Sequence, residues 1–145
     1  MIPEGLYRQI ISVIPVICVD IVVRNKDNKF LLANRKNEPL KGEWWLIGGR
    51  IKHGEAAKAA CSRKLFEELN LKVDKFCFIG FYQDYFDRNS FTNQNYHTFS
   101  LVFEVLLDGM DGENIKLDPQ HSEWGWFDKL PERFQLTSVS RSMSL

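Results

Sequence analysis

The chain is short of cysteine, of net charge and of long apolar runs, and each shortage removes a class of function. Cysteine occurs three times, at Cys18, Cys61 and Cys77. An odd count spread through apolar or helical stretches builds no disulfide framework; it reads as buried thiols in a reducing compartment. Nineteen Lys and Arg balance nineteen Asp and Glu. With no net charge, nothing in the bulk electrostatics recruits a nucleic-acid backbone or an anionic membrane, which leaves a small molecule as the expected partner. The opening MIPEGLYRQIISVIPVICVDIVV holds an apolar run, but Glu4, Pro15 and Asp20 interrupt it. It lacks a basic start and a small-residue cleavage site, so we expect no membrane span or export signal, and a cytoplasmic location. Repeats and low-complexity tracts are absent as well.

What is present describes an ordinary globular chain. Of its 145 residues, 44% are hydrophobic, 26% charged and 13% aromatic, a balance that argues against disorder. That length fits one domain, residues 1–145, with a core large enough to need no staples. Leu6, Ile10 and Ile11 recur at helical spacing behind Pro3, which predicts a short first helix. Val13 to Val23 is a β-branched run, followed by turn residues Asn25 to Asn28 and a hairpin partner from Lys29 to Ala33. Glu43 to Ile47 predicts a short buried strand that Gly48 and Gly49 terminate at once. From Glu55 to Leu69 the composition is helix-forming, with Ala57, Cys61, Leu65 and Leu69 on one buried stripe. Beyond Asn70, Phe76 to Phe86 and Tyr96 to Leu107 are paired strands, Glu123 to Phe127 is a short aromatic strand, and Pro131 to Ser142 is a terminal helix. Strands of both kinds around one long helix give an α/β fold, an α/β/α sandwich with a mixed β-sheet.

The stretch with chemical content is GGRIKHGEAAKAACSRKLFEELNL, Gly48 to Leu71. Glycines at a strand end let the backbone approach an anion or offer a bare carbonyl to a metal. Arg50 has the donor fork to meet a diphosphate bidentately. On the helix Arg63 and Glu67 are one turn apart and can pair, whereas Glu68 projects roughly a hundred degrees away, free for another task. Ordinary surface pairing explains any one of these, since Lys64 and Glu68 are also four residues apart and exposed pairs are worth only ~0.5 kcal/mol.

As a set, the residues resemble the Nudix box: Gly, five residues, Glu, seven residues, Arg-Glu-apolar-any-Glu-Glu-any-Gly-apolar. Gly49, Glu55, Arg63, Leu65, Glu67, Glu68 and Leu71 fall in register. Lys64 stands where the box has a Glu, and Asn70 where it has its second Gly. Asn tolerates the left-handed backbone expected just past a helix end, so that change is mild. Lys64 is not mild: it removes a carboxylate and adds a positive charge, which disfavours a site collecting several divalent ions.

Nearly the whole chain is similar to one branch of that superfamily, the GDP-mannose mannosyl hydrolases, through VICVDIVVRN around Asp20, FLLANRKNEPLKGEWW around Arg35, IGGR ending at Arg50, and DPQHSEWGWF around His121. That branch lacks the same Glu. The resemblance implies Mg²⁺-dependent hydrolysis of a GDP-sugar, GDP-mannose or GDP-glucose, to GDP and free sugar, by attack of water at sugar C1 with inversion. It further implies that Glu68, Gln120 and the carbonyl of Gly48 hold one Mg²⁺, with Mn²⁺ as a substitute, and that Arg35 and Arg50 clamp the diphosphate. His121 would take the proton from water, Asp20 would face the sugar, and the protein would be a homodimer. Such a set is chemically coherent, because a metal-bound, Arg-paired diphosphate leaves without a general acid and needs only a base opposite it.

Other readings stand beside these. His121 also suits a solvated loop, Arg35 a hairpin-end surface charge, and Trp44 and Trp45 the core. His53 and His97 read as structural or peripheral, although His97 is placed to line a pocket. Asp20, inside ICVDIVV, is harder to set aside, because a buried carboxylate requires a partner or ligand. Cleavage at phosphorus by an ordinary Nudix pyrophosphohydrolase and a non-catalytic Nudix binding module are the competing functions.

Overall fold

The computed structural model describes residues 1–36, 41–86, 96–107 and 124–135. In chain order the elements are α1 (Glu4–Val13), β1 (Val16–Asn25), β2 (Phe30–Asn34), β3 (Trp44–Trp45), β4 (Ile47–Arg50), α2 (Ala57–Leu69), β5 (Cys77–Phe86), β6 (Tyr96–Leu107), β7 (Trp124–Phe127) and α3 (Glu132–Gln135). The strands form a seven-stranded mixed sheet in the order β3-β2-β1-β6-β5, with β4 paired to β1 and β7 to β2. β1 runs parallel to β6 along its length, while β2 and β4 lie antiparallel to it at its two ends.

Alternation along β1 decides the layers, because successive side chains point to opposite faces. Val19, Ile21 and Val23 face α2, where they pack with Ala60, Cys61, Leu65 and Leu69. Leu65 and Leu69 are wholly buried, each worth about 1.5–3 kcal/mol. Val22 faces the other way and joins Trp45, Tyr82, Val102 and Phe134. Phe134 brings α3 onto that face, edge-on to both Trp45 and Tyr82. The result is the expected α/β/α sandwich, with α2 on one side and α3 on the other.

Local chemistry fixes the helix ends and turns. Asn28, with φ of 65°, and Asn25, whose side chain accepts from the amides of Asp27 and Lys29, shape the β1–β2 turn. α2 ends at Asn70 in the left-handed region, φ 54°, where the amides of Asn70 and Leu71 return to Phe66 and Leu65. The Nudix-box glycine position therefore keeps its backbone role with Asn in place. One expectation is corrected: Gly48 and Gly49 do not end the strand that Glu43 to Ile47 predicts. The strand breaks at Leu46 instead, and β4 continues through both glycines to Arg50, held by pairing to β1 from Cys18 to Ile21. Of the predicted terminal helix, Glu132–Gln135 is helical and the rest lies outside the described residues.

No helix among the described residues is long and apolar enough to cross a membrane.

Candidate active site

β4 is the centre of the site because its consecutive residues serve opposite faces. Gly49 pairs with Val19 and turns to α2; Gly48 and Arg50 pair with Asp20 and Cys18 and turn to the other side. Both glycines are required by crowding. A Cβ on Gly48 would overlap the carbonyl oxygen of Val19 and approach within 2.5 Å of Asp20 Oδ1, and one on Gly49 would lie 2.9 Å from Lys64 Cε.

On the α2 side, the polar groups of the helix and of the loop before it form a connected ion-pair set. Arg63 is the hub. Its Nε donates to Glu55 Oε2 at 2.7 Å, its Nη2 to Glu55 Oε1 and to the Arg50 carbonyl at 3.0 Å each, and its Nη1 reaches Glu67 at 3.3 Å. Glu55 also accepts from the Lys52 amide at 3.0 Å. These bonds, led by that from Arg63, hold the Glu55 carboxyl down at about 2. The same pairing raises the Arg63 guanidinium above its ordinary value. Glu55 and Arg63 thus brace the loop between β4 and α2, and fix the main chain of Arg50 from below.

Lys64 lies beside that brace. Its stem runs against Gly49, and its ammonium sits 3.0 Å from Glu68 and 3.8 Å from Glu67. Glu68 is nearly buried, with 12% of its side chain exposed, against 44% for Glu67. This is a test of fit for a divalent cation: the donors present are hard carboxylate oxygens that already attract a positive charge, as Mg²⁺ or Mn²⁺ requires. The Glu68 carboxylate suits such an ion, although no group of three or more His, Cys, Asp or Glu converges among the described residues. Gln120, the third expected ligand, and His121, the expected base, lie outside the described residues.

On the opposite face, Asp20, Arg35 and Arg50 come together. Asp20 is 7% exposed, accepts from the Tyr82 hydroxyl at 2.5 Å and is also hydrogen-bonded by Ser100. Burial pushes its carboxyl up to about 6, against the opposing pull of these two hydroxyls and of Arg35. Beside it, burial raises the Cys18 thiol to about 12, and Asp20 adds to that, while Arg50 and Arg35 oppose it. Both guanidinium groups thus lie within electrostatic reach of the Cys18 thiol, and Arg35 within reach of Asp20 as well. Arg50 stacks on the ring of Tyr7, its Cζ 4.5 Å from the centroid. Arg35 is tied by its backbone to the β2–β3 connection, its amide donating to Glu43 and its carbonyl accepting from Gly42.

Residues that the sequence reading did not single out complete this face. Tyr82, Asp84, Thr98 and Ser100 occupy alternate positions of β5 and β6 on the face that Asp20 shares, Ser100 opposite Cys18 and Thr98 opposite Val16. Arg133 of α3 chelates Asp84, with Nε and Nη2 at 3.0 and 2.5 Å. The signal was available as period-two alternation: Thr98 and Ser100 are polar where Phe99 and Leu101 between them are apolar. His97 belongs to the other alternation, hydrogen-bonded to Gln83 at 3.0 Å and packed on Tyr85, so it turns away from Asp20. His53 is exposed in the loop before α2, as expected of a peripheral residue.

Comparison with known proteins bears on the family and the fold. Residues 15–135 match the family model described as NUDIX domain. The chain is 31% identical over 128 residues to the low-salt glycan biosynthesis protein Agl8 of Haloferax volcanii, covering 88% of this chain and 80% of that one. It is 36% identical over 114 residues to an ADP-ribose pyrophosphatase of Methanocaldococcus jannaschii, covering 79% of this chain and 62% of the relative. Among solved structures it superposes on a MutT NUDIX hydrolase from Burkholderia pseudomallei with a TM-score of 0.71 at 20% identity, over 90% of this chain and 99% of that one.

Proposed function

Because the chain belongs to the Nudix family, we propose that this Nudix hydrolase splits a GDP-sugar, GDP-mannose or GDP-glucose, into GDP and the free sugar, with water attacking sugar C1 and inverting it. The observation that carries the reading is the face holding Arg35, Arg50 and Asp20. Arg35 and Arg50, both within electrostatic reach of Cys18, offer positive charge to a diphosphate, and the Asp20 carboxyl, within reach of Arg35, offers acceptors to sugar hydroxyls. The relative named for glycan biosynthesis is compatible with a sugar-bearing substrate.

In this mechanism Arg35 and Arg50 bind the diphosphate oxygens and spread the charge that develops as the C1–O bond breaks. Glu68, the Gly48 carbonyl and Gln120 would hold a divalent cation, Mg²⁺ or Mn²⁺ and one per site, which would supply positive charge to a departing diphosphate. With the leaving group so neutralised, no acid is needed on that side. His121 accepts the proton of the attacking water, a task suited to a group that titrates near neutrality. Asp20, fixed by Tyr82 and Ser100, orients the sugar. Lys64 neutralises part of the Glu67 and Glu68 charge that a multi-metal site would use. The protein would act as a single domain, residues 1–145, and as a homodimer.

A second reading has its own support. The archaeal relative named ADP-ribose pyrophosphatase favours attack at phosphorus, which would give a mononucleotide and a sugar phosphate. Incubation with GDP-mannose and Mg²⁺ in ¹⁸O-water separates the two. Carbon attack yields GDP and ¹⁸O-labelled mannose; GMP and mannose 1-phosphate with label in a phosphate would replace the first reading by the second. No turnover of any sugar nucleotide, together with metal-independent binding, would make the chain a non-catalytic Nudix module.

A further inference from the structure

We propose that Tyr7 is a positioning residue for Arg50, and that the N-terminal helix α1 serves the site by holding that guanidinium over the sheet face it shares with Cys18 and Asp20. The inference rests on the reading in which Arg50 meets a diphosphate. Arg50 is the last residue of β4 and its side chain is exposed. Its backbone is fixed on one side by pairing with Cys18 and on the other by Arg63, which donates to its carbonyl. The remaining freedom lies in the side chain, and an arginine loses much rotamer entropy when it must present its fork in one orientation. Tyr7 removes that freedom before any ligand arrives. The guanidinium carbon lies over the ring, 4.5 Å from its centroid, within reach of the electrostatic attraction between a cation and a π face.

Tyr7 is itself held. Its hydroxyl shares a 2.7 Å hydrogen bond with that of Tyr96, a residue 7% exposed on β6, and the two rings meet at 6.5 Å. Ile11, one turn further along α1, packs with Val16 and the same Tyr96. A buried anchor, a ring and a guanidinium therefore form a chain that runs from β6 through α1 to the end of β4. Helix α1 has no other buried side chain than Ile11. Its packing is slight for a helix whose task is to stabilise the core, and sufficient for one that presents a ring.

The test measures GDP binding with Mg²⁺ by calorimetry in the wild type, Arg50→Ala, Tyr7→Phe, Tyr7→Leu and the Arg50→Ala/Tyr7→Leu pair. A cation–π contact at a partly exposed site predicts a loss of about two- to five-fold for Tyr7→Leu and a smaller loss for Tyr7→Phe, which keeps the ring but loses its hydroxyl tie to Tyr96. Tyr7→Leu should add nothing once Arg50 is gone. If Arg50→Ala weakens GDP and Tyr7→Leu does not, or if Tyr7→Leu weakens it equally in both backgrounds, the positioning proposal is overturned while the diphosphate reading stands. If Arg50→Ala binds GDP as the wild type does, or the wild type binds none, the diphosphate reading fails first. Should Tyr7→Leu not fold, the unaltered protein still decides: the Arg50 side-chain Nε–H resonance, assigned by its loss in Arg50→Lys, must be displaced upfield by the ring current. A resonance at the position of a solvated arginine refutes the stacking.

Discussion

Replacing Asp20 by Asn should make the protein more stable at neutral pH and less active, and the gain should depend on pH in a defined way. The carboxyl is raised from 3.8 to about 6, mainly by burial. At about 1.4 kcal/mol per pH unit, ionising it in the folded protein is about 3 kcal/mol costlier than in the unfolded chain. The sign follows from proton counts. Between these two values the folded state holds the proton and the unfolded state does not, so stability falls as pH rises through the window and is lowest above about 6. Asn carries no charge, fits the same space, and its carbonyl can still accept from Tyr82, which bonds Asp20 at 2.5 Å. Urea unfolding of both proteins from pH 4 to 7.5 should show Asp20→Asn gaining on the wild type by about 2–3 kcal/mol across the range, with contributions from all other groups cancelling. A difference that stays flat with pH would refute the argument, as would a ¹³C carboxyl titration of Asp20 near 4. Loss of turnover alongside the gain identifies a residue kept for its ligand at a cost in stability.

Glu55→Gln should destabilise the protein by about 1–3 kcal/mol in urea, because it leaves Arg63 without the charged partner that takes two of its hydrogen bonds; the wild type's advantage, present above pH 4.5, should fade as pH drops towards about 2. Lys64→Glu removes an ammonium 3.0 Å from Glu68 and adds a carboxylate, so Mn²⁺ binding followed by electron paramagnetic resonance should tighten by about tenfold or gain a second ion. An unchanged isotherm would show that Lys64 has no influence on the cation. Gly48→Ala should cost more than Gly49→Ala, since a Cβ at residue 48 meets the Val19 backbone whereas one at residue 49 meets the flexible end of Lys64; chemical denaturation ranks the two, and equal costs would mean that β4 yields to either.

The legible parts of the fold were those in which local pattern and tertiary role coincide. Ala57, Cys61, Leu65 and Leu69 repeat every four residues, and the last three are wholly buried under β1. The Asn25 to Asn28 turn carries its own hydrogen bonds, so its position needed no knowledge of the sheet. β4 was misread because a Gly-Gly pair signals a break when propensity alone is weighed, whereas here pairing to β1 and the lack of room for side chains override it. In the site, the box residues were legible since their spacing on one helix sets their geometry. Tyr82, Ser100, Asp84 and Arg133 were not, because they come from β5, β6 and α3, and only the parallel pairing of β6 with β1 places them round Asp20.

Why β4 carries two adjacent glycines follows from these two faces. Consecutive strand residues must face opposite ways, so β4 can pass between Lys64 on the α2 face and Asp20 on the other only where it is bare backbone. Gly48 and Gly49 provide that bare segment. The side chains they lack are supplied by neighbours: Asp20 fills the space over Gly48 and the Lys64 stem fills that over Gly49. Crowding on both sides then leaves β4 little freedom to shift, and Arg63, bonded to the Arg50 carbonyl and to Glu55, locks its end.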